Sequence, residues 1–291
     1  MSVIVLQNSD DRLYQQFLSI QNFCNQISLC CHDEEVIIDF SEVTFVHPFY
    51  ILCLSAVLDH FNTNSKMHLR FDDLPSSVST YLDLIKFPYG LRPDEYHDWQ
   101  ETLNHYVGKT YLPILNFPSH YKYIELRNSF LSHVNHLINT RLHPTTELFS
   151  AISYLISEIT DNIVDHSGVD RGWLTVQYYE HKSFFDICIA DSGRTIHGSY
   201  LFNGIVHGSE TESVVAALNG KSTKSPERGR GIPTSVSMIV EGLRGNILMV
   251  SGGAFLANTK IFDSQIKLPG TFFVLRLPIE VSGFQYSKYI Y

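Results

Sequence analysis

Glu158, Asn162 and His166 follow one another at four-residue intervals, which sets them in a row along one edge of a helix. In such a row the Asn oxygen could hold Mg²⁺ and the carboxylate could take a proton from an attacking water. A helix whose polar margin has no chemical task would look the same. A second group is Asp191-Ser192-Gly193 at the end of the apolar run FFDICIA. Here a carboxylate could accept the amino group of adenine, and Gly193 lets backbone approach a flat base without a Cβ in the way. An ordinary strand ending in an Asp-Ser-Gly turn is the plain alternative. The third group is Glu227-Arg228-Gly229-Arg230-Gly231, which opens into an apolar run and could bring glycine backbone and helix-start N–H groups to a phosphate. The fourth is Gly270-Thr271, whose hydroxyl could support Asp191 or a water beneath the base.

Around the third group, residues 221–230 (KSTKSPERGR) hold four basic side chains against one acid. Lys221, Lys224, Arg228 and Arg230 are candidate contacts to a γ-phosphate; a solvated basic loop is the alternative for each. The segment from about 197 to 229 is long and polar and reads as a lid that closes on a triphosphate.

The elements that must position these groups are legible from apolar periodicity. In residues 147–166, Phe149, Ile152, Ile156, Ile159 and Ile163 recur at three- and four-residue steps and form one buried stripe of a helix. From Trp173 onward, WLTVQYYE, SFFDICIA, GNILMVSG and GTFFVLRLP read as strands. Ahead of these, residues 3–6, 36–40 and 67–71 read as strands, and 12–29, 45–61 and 76–86 as helices. Such a βαβαβα order implies an α/β unit. Residues 88–120 hold four prolines and no clear period apart from a strand expected at 110–115, and 121–142 reads as a polar-rich helix. The expected division is therefore an N-terminal α/β domain over 1–90, a connector and linking helix over 91–143, and a second domain over 144–291.

Composition narrows the function class. With 44% hydrophobic and 18% charged residues, a chain of 291 can bury two cores. No apolar run reaches the roughly 18 residues of a membrane helix, and no secretory signal is expected at the start. The five cysteines are irregularly spaced without a CxxC, which favours thiols in a reducing cytoplasm over disulfides or zinc. A net charge of −9 argues against nucleic acid as a partner.

In order and spacing together, Glu158…Asn162, Asp191-x-Gly193, Gly229-x-Gly231 and Gly270-Thr271 resemble the N box and three glycine boxes of GHKL ATPases (gyrase, heat-shock chaperone, histidine kinase and mismatch-repair types). The resemblance covers roughly residues 145–280 and implies the Bergerat fold, a mixed sheet with helices on one face. It also implies ATP and Mg²⁺ as cofactors, with Asn162 on Mg²⁺, Glu158 as general base, Asp191 on adenine, and Gly229 and Gly231 at the phosphate end of the lid. Arg194-Thr195-Ile196 departs from the pattern, standing where the family often has a further glycine. With twenty residues after Thr271, a transducer domain of the gyrase or chaperone type is not expected. His133 and His136 lie ahead of the ATP unit, but neither is followed by the acid of a phospho-acceptor pair.

VIIDFSEVTFVHPFYILCLSAVLDHF is similar to the central strand–turn–helix of STAS domains over about residues 1–90. It carries His47-Pro48-Phe49 where those proteins have a phosphorylatable Ser or Thr. A non-switching recognition module for a protein partner is the reading that remains. The whole is nearest in logic to anti-sigma-factor serine kinases: an ATP-binding regulator that hydrolyses ATP slowly or passes a phosphoryl group to a partner. A non-catalytic nucleotide sensor and a divergent histidine or serine kinase stay open. Dimers are common in the superfamily, although no coiled-coil heptads mark a homodimer here.

Overall fold

The computed structural model describes residues 1–8, 12–30, 35–65, 67–221 and 231–290. Two sheets organise the chain. The first is parallel, in the order β1 (Ser2–Val5), β2 (Glu35–Asp39), β3 (His68–Asp72). Its crossovers are the helices α1 (Leu13–Leu29) and α2 (Pro48–Asn64), and α3 (Ser76–Leu84) follows. Pro48 sets the start of α2 three residues later than the pattern suggested. A proline fits the first helical turn, and the residue before it is driven to extended backbone, as His47 is at ψ 144°.

The second sheet runs β4 (Leu115–Pro118), β5 (Arg171–Tyr179), β6 (Phe184–Asp191), β8 (Lys260–Pro278), β7 (Asn246–Ala257). Every neighbouring pair in it is antiparallel, so it is not the mixed sheet expected. The strand expected at 110–115 lies instead at β4, and Tyr111 makes only an isolated bridge to Gln177. The segment 91–143 thus contributes an edge strand to this sheet, together with α4 (Trp99–Asn104) and α5 (Ile124–Leu142).

Both faces of the second sheet are covered, rather than one. On one face α5 and α6 (Thr146–Asn162) pack over Leu174, Val176, Ile187, Ile189 and Leu275. On the other, α1 and α2 pack against Trp173, Cys188, Ala190, Val250 and Phe272. Strand alternation explains the split, since successive side chains point to opposite faces. Helix α2 is buried without interruption from Pro48 to Leu58, because it lies between the two sheets. A helical stretch whose side chains are almost all apolar can be enclosed in this way. The candidate switch segment shares this burial: His47 and Phe49 are both inside.

Candidate nucleotide pocket

Helix α6 is amphipathic, and its start is capped by Thr145, whose hydroxyl accepts from Leu148 N–H at 3.3 Å. Such a cap contributes about 1 kcal/mol. The buried stripe is Leu148, Ala151, Ile152, Leu155, Ile156 and Ile159, so Leu148 takes the place expected of Phe149. Regular α-helix stops at Asn162, four residues before the expected end. Residues Ile163–Ser167 form a single π turn that ends at Gly168 with φ +71°. A π turn of this kind is a common feature of functional sites.

Along the edge of the stripe Glu158 and Asn162 face the same pocket, and Asn162 Nδ2 donates to Glu158 Oε1 at 3.4 Å. Glu158 lies directly over the first residue of α9 (Gly231–Ser237): a Cβ on Gly231 would sit 1.5 Å from Glu158 Oε1. Gly231 is therefore required for the approach of the carboxylate rather than for a turn of its own.

Alternation along β6 sends Phe185, Ile187, Ile189 and Asp191 to the α6 face. Asp191 closes the strand at 3% exposure and accepts from Gly193 N–H at 2.9 Å. Burial pushes its carboxyl up to about 7, and backbone N–H bonds from Gly193 and Thr271 hold it down in part. The turn is seated on the end of the π segment, where Arg194 N–H donates to the Ser167 carbonyl at 2.7 Å. A Cβ on Gly193 would lie 2.3 Å from that carbonyl, and one on Gly270 (φ +76°) would lie 2.0 Å from the Asp191 carbonyl. Both glycines are thus fixed by close backbone packing around the aspartate.

Thr271 pairs with Asp191 across the strands. Its hydroxyl meets Ser251 Oγ at 3.1 Å, and Ser251 Oγ in turn accepts from Ile196 N–H at 2.8 Å. Sequence reasoning missed Ser251, although its alternation on β7 with Ile247 and Met249 puts it on the site face.

One open-mouthed pocket of about 730 Å³ gathers Glu158, Asn162, Asp191, Lys221, Gly231 and Thr271. His166 lines it as well, from the π turn. Gly193 is not in the lining but sets the turn that shapes it. Lys224, Arg228, Gly229 and Arg230 lie outside the described residues. The stretch expected to form a lid carries α7 (Ile196–Phe202) and α8 (Glu210–Leu218), and α8 packs against β7 and β8. Ser199 and Tyr200 also line the pocket without having been singled out from sequence, and so do Arg194 and Thr195, which were noted only as a departure from the family pattern. Arg194 lies 3.6 Å above the Phe202 ring, and the Tyr200 hydroxyl donates to the Lys221 carbonyl.

No group of three or more His, Cys, Asp or Glu that could hold a metal occurs among the described residues. Asn162 fits the way Mg²⁺ is commonly held beside a nucleotide, by few protein ligands with water and phosphate supplying the rest, and Glu158 lies next to it. No helix among the described residues is long and apolar enough to cross a membrane.

No family model, curated protein or solved structure matches the chain.

Proposed function

We propose that the chain is an ATP-binding regulatory protein of the GHKL kind, with a Bergerat-type ATP unit and a STAS-like module. In this reading it hydrolyses ATP slowly with Mg²⁺, or passes the γ-phosphoryl group to a protein partner. The observation that carries the reading is the convergence of four separated sequence groups on one pocket: Glu158 and Asn162 from α6, Asp191 from β6, Gly231 from α9 and Thr271 from β8. A shared lining is not expected of groups that resemble a motif only by accident.

Asp191 would accept the adenine amino group through a carboxyl oxygen. Asn162 would turn its amide oxygen to Mg²⁺, which when bound neutralises charge on the β- and γ-phosphates. Lys221 supplies a cation at the pocket wall. Glu158 would take the proton of the attacking water, or of a partner's hydroxyl, as its oxygen bonds to the γ-phosphorus and ADP leaves. Glu158→Ala should keep ATP binding and abolish phosphate release, whereas Asn162→Ala should weaken binding only when Mg²⁺ is present. Unchanged turnover in Glu158→Ala would remove the general-base role.

The Arg194 departure favours a second reading, a nucleotide sensor without turnover. Its guanidinium rests on Phe202 where the family often has glycine, so the pocket rim is filled by side chain rather than left open for backbone. Equal binding of ADP and ATP with no phosphate released would favour the sensor. A label on a partner that survives acid would indicate a serine kinase, and an acid-labile one a histidine kinase. Any partner of the N-terminal module would meet the outer face of β1–β3, where Val3 and Val5 are exposed, because α2 is enclosed.

A further inference from the structure

A group of exposed apolar side chains stands beside the nucleotide pocket. Leu201 and Phe202, at the end of α7, are 47% and 68% exposed, and Ile205 and Val206, just past it, are 37% and 80% exposed. Scattered singly, such residues would need no explanation; four within six positions do. The backbone holds them in place. Gly204, at φ +75°, ends the helix: its N–H donates to the Leu201 carbonyl at 3.0 Å, and Ile205 N–H donates to the Tyr200 carbonyl at 2.9 Å. This pair of bonds is a Schellman closure, which reverses the chain at the helix end. Asn203 Nδ2 adds a bond to the Ser199 carbonyl at 2.8 Å. The apolar turn is therefore a built feature rather than a frayed end.

Charge around the turn restricts what can cover it. In a chain of net charge −9, the stretch from Ser192 to Gly208 contains no Asp or Glu. It does contain Arg194, whose guanidinium lies over the Phe202 ring and forms no ion pair among the described residues. The next acids along the chain are engaged elsewhere. Glu212 accepts from Gly208 N–H at 2.7 Å, and Glu210 accepts from Gly253 N–H at 2.8 Å and meets Lys267 at 3.5 Å. A cation over an exposed ring thus lacks a carboxylate. A second copy of the chain, docked turn to turn about a two-fold axis, would bring another Arg194 and no acid. A lipid surface is disfavoured too, since one arginine in an acidic chain is far from the basic cluster that holds a protein at an anionic membrane. We propose that this turn is a docking surface for a protein partner, for an amphipathic segment whose apolar side chains cover Phe202 and Val206 and whose carboxylate meets Arg194.

Arg194 and Tyr200 also line the nucleotide pocket. A partner that holds Arg194 from outside would fix the rim of that pocket, so partner and nucleotide would each change the affinity for the other. That consequence rests on the nucleotide reading; docking at the turn does not.

The test is fluorescence anisotropy of the full chain, without ATP, with a labelled synthetic helix that carries a leucine stripe flanked by glutamates. A counterpart with lysine in place of every glutamate is the control. Saturable binding of the glutamate helix is expected, about tenfold or more tighter than that of the lysine helix. Phe202→Ala and Val206→Asp should each weaken it about tenfold or more, and Arg194→Met should erase the preference for glutamate. Val206 is outside the pocket lining, so Val206→Asp should leave nucleotide binding as in the wild type. Helix binding should persist in Asp191→Asn, which separates this surface from the nucleotide pocket. No binding of the glutamate helix, equal or tighter binding of the lysine helix, or full affinity in both turn variants would each overturn the proposal. So would self-association in the ultracentrifuge, or binding to phosphatidylserine vesicles, that Val206→Asp abolishes.

Discussion

Strand β6 carries two buried acids, and they live differently. Asp186 points to the α1–α2 face at 2% exposure and is held by Arg276, with Nε and one terminal nitrogen each 2.8 Å from a carboxylate oxygen. Arg276 also lies 4.3 Å over the Phe184 ring. Asp191, five residues on, points to the α6 face and is met by backbone N–H groups of Gly193 and Thr271 instead of a cation. A structural acid has its charge answered inside the fold. Asp191 is left under-answered, as the proposed ligand-binding acid would be, at some cost in stability to the empty protein. The two faces repeat the contrast: α2 is buried without interruption from Pro48 to Leu58, whereas α6 keeps Glu158 and Asn162 on a polar edge.

The largest break in this comparison comes from removing the answering cation. Arg276→Leu leaves Asp186 buried and unpaired and should cost about 3–5 kcal/mol in denaturant unfolding. A loss below about 1 kcal/mol would mean that Asp186 is not held by Arg276 in solution.

Next comes the pH dependence of Asp191. Its folded value of about 7 lies above the unfolded 3.8, so its contribution to stability is complete below 3.8 and is lost as pH rises through about 7. Asp191→Asn should therefore raise the stability of the nucleotide-free protein at pH 8, by on the order of a few kcal/mol, and change it little at pH 4. Melting curves of both proteins across that range check the sign. A variant less stable than wild type at pH 8 would contradict it.

A smaller effect is expected at Gly193, whose added Cβ would press on the Ser167 carbonyl. Gly193→Ala should destabilise by about 1–3 kcal/mol and weaken nucleotide binding by moving the Asp191 turn. Calorimetric titration of ATP against unfolding curves separates the two effects.

The α6 face was legible because its information is local. Steps of three and four placed the stripe, and Asp191-Ser192-Gly193 sits at the end of a strand that period-2 alternation already marked, whereas Gly270-Thr271, expected to open a strand, lies in the middle of the longer β8. The π turn after Asn162 was not legible, since it depends on the packing of Ser167 against Gly193, twenty-six residues away. The wall formed by Ser199 and Tyr200 was hidden in a segment that reads only as polar. The covering of the second face was missed for a different reason. The apolar helix α2 announced burial, but nothing in its sequence says that its second neighbour is a sheet formed more than fifty residues later. Asp186 and Arg276 did leave a signal, as single charges inside FFDICIA and FFVLRLP that must meet a partner if those strands are buried.

The most direct test of the central claim is the melting temperature of the full chain with ATP, ADP and a non-hydrolysable analogue, each with and without Mg²⁺, in wild type and Asp191→Asn. At about 100 times Kd, mass action adds about 2.7 kcal/mol, enough to raise the wild-type midpoint by roughly 5 °C or more. The account predicts that rise in the wild type, larger for ATP with Mg²⁺ than without, and its loss in Asp191→Asn. No nucleotide-dependent rise in the wild type, or an undiminished one in Asp191→Asn, would contradict it.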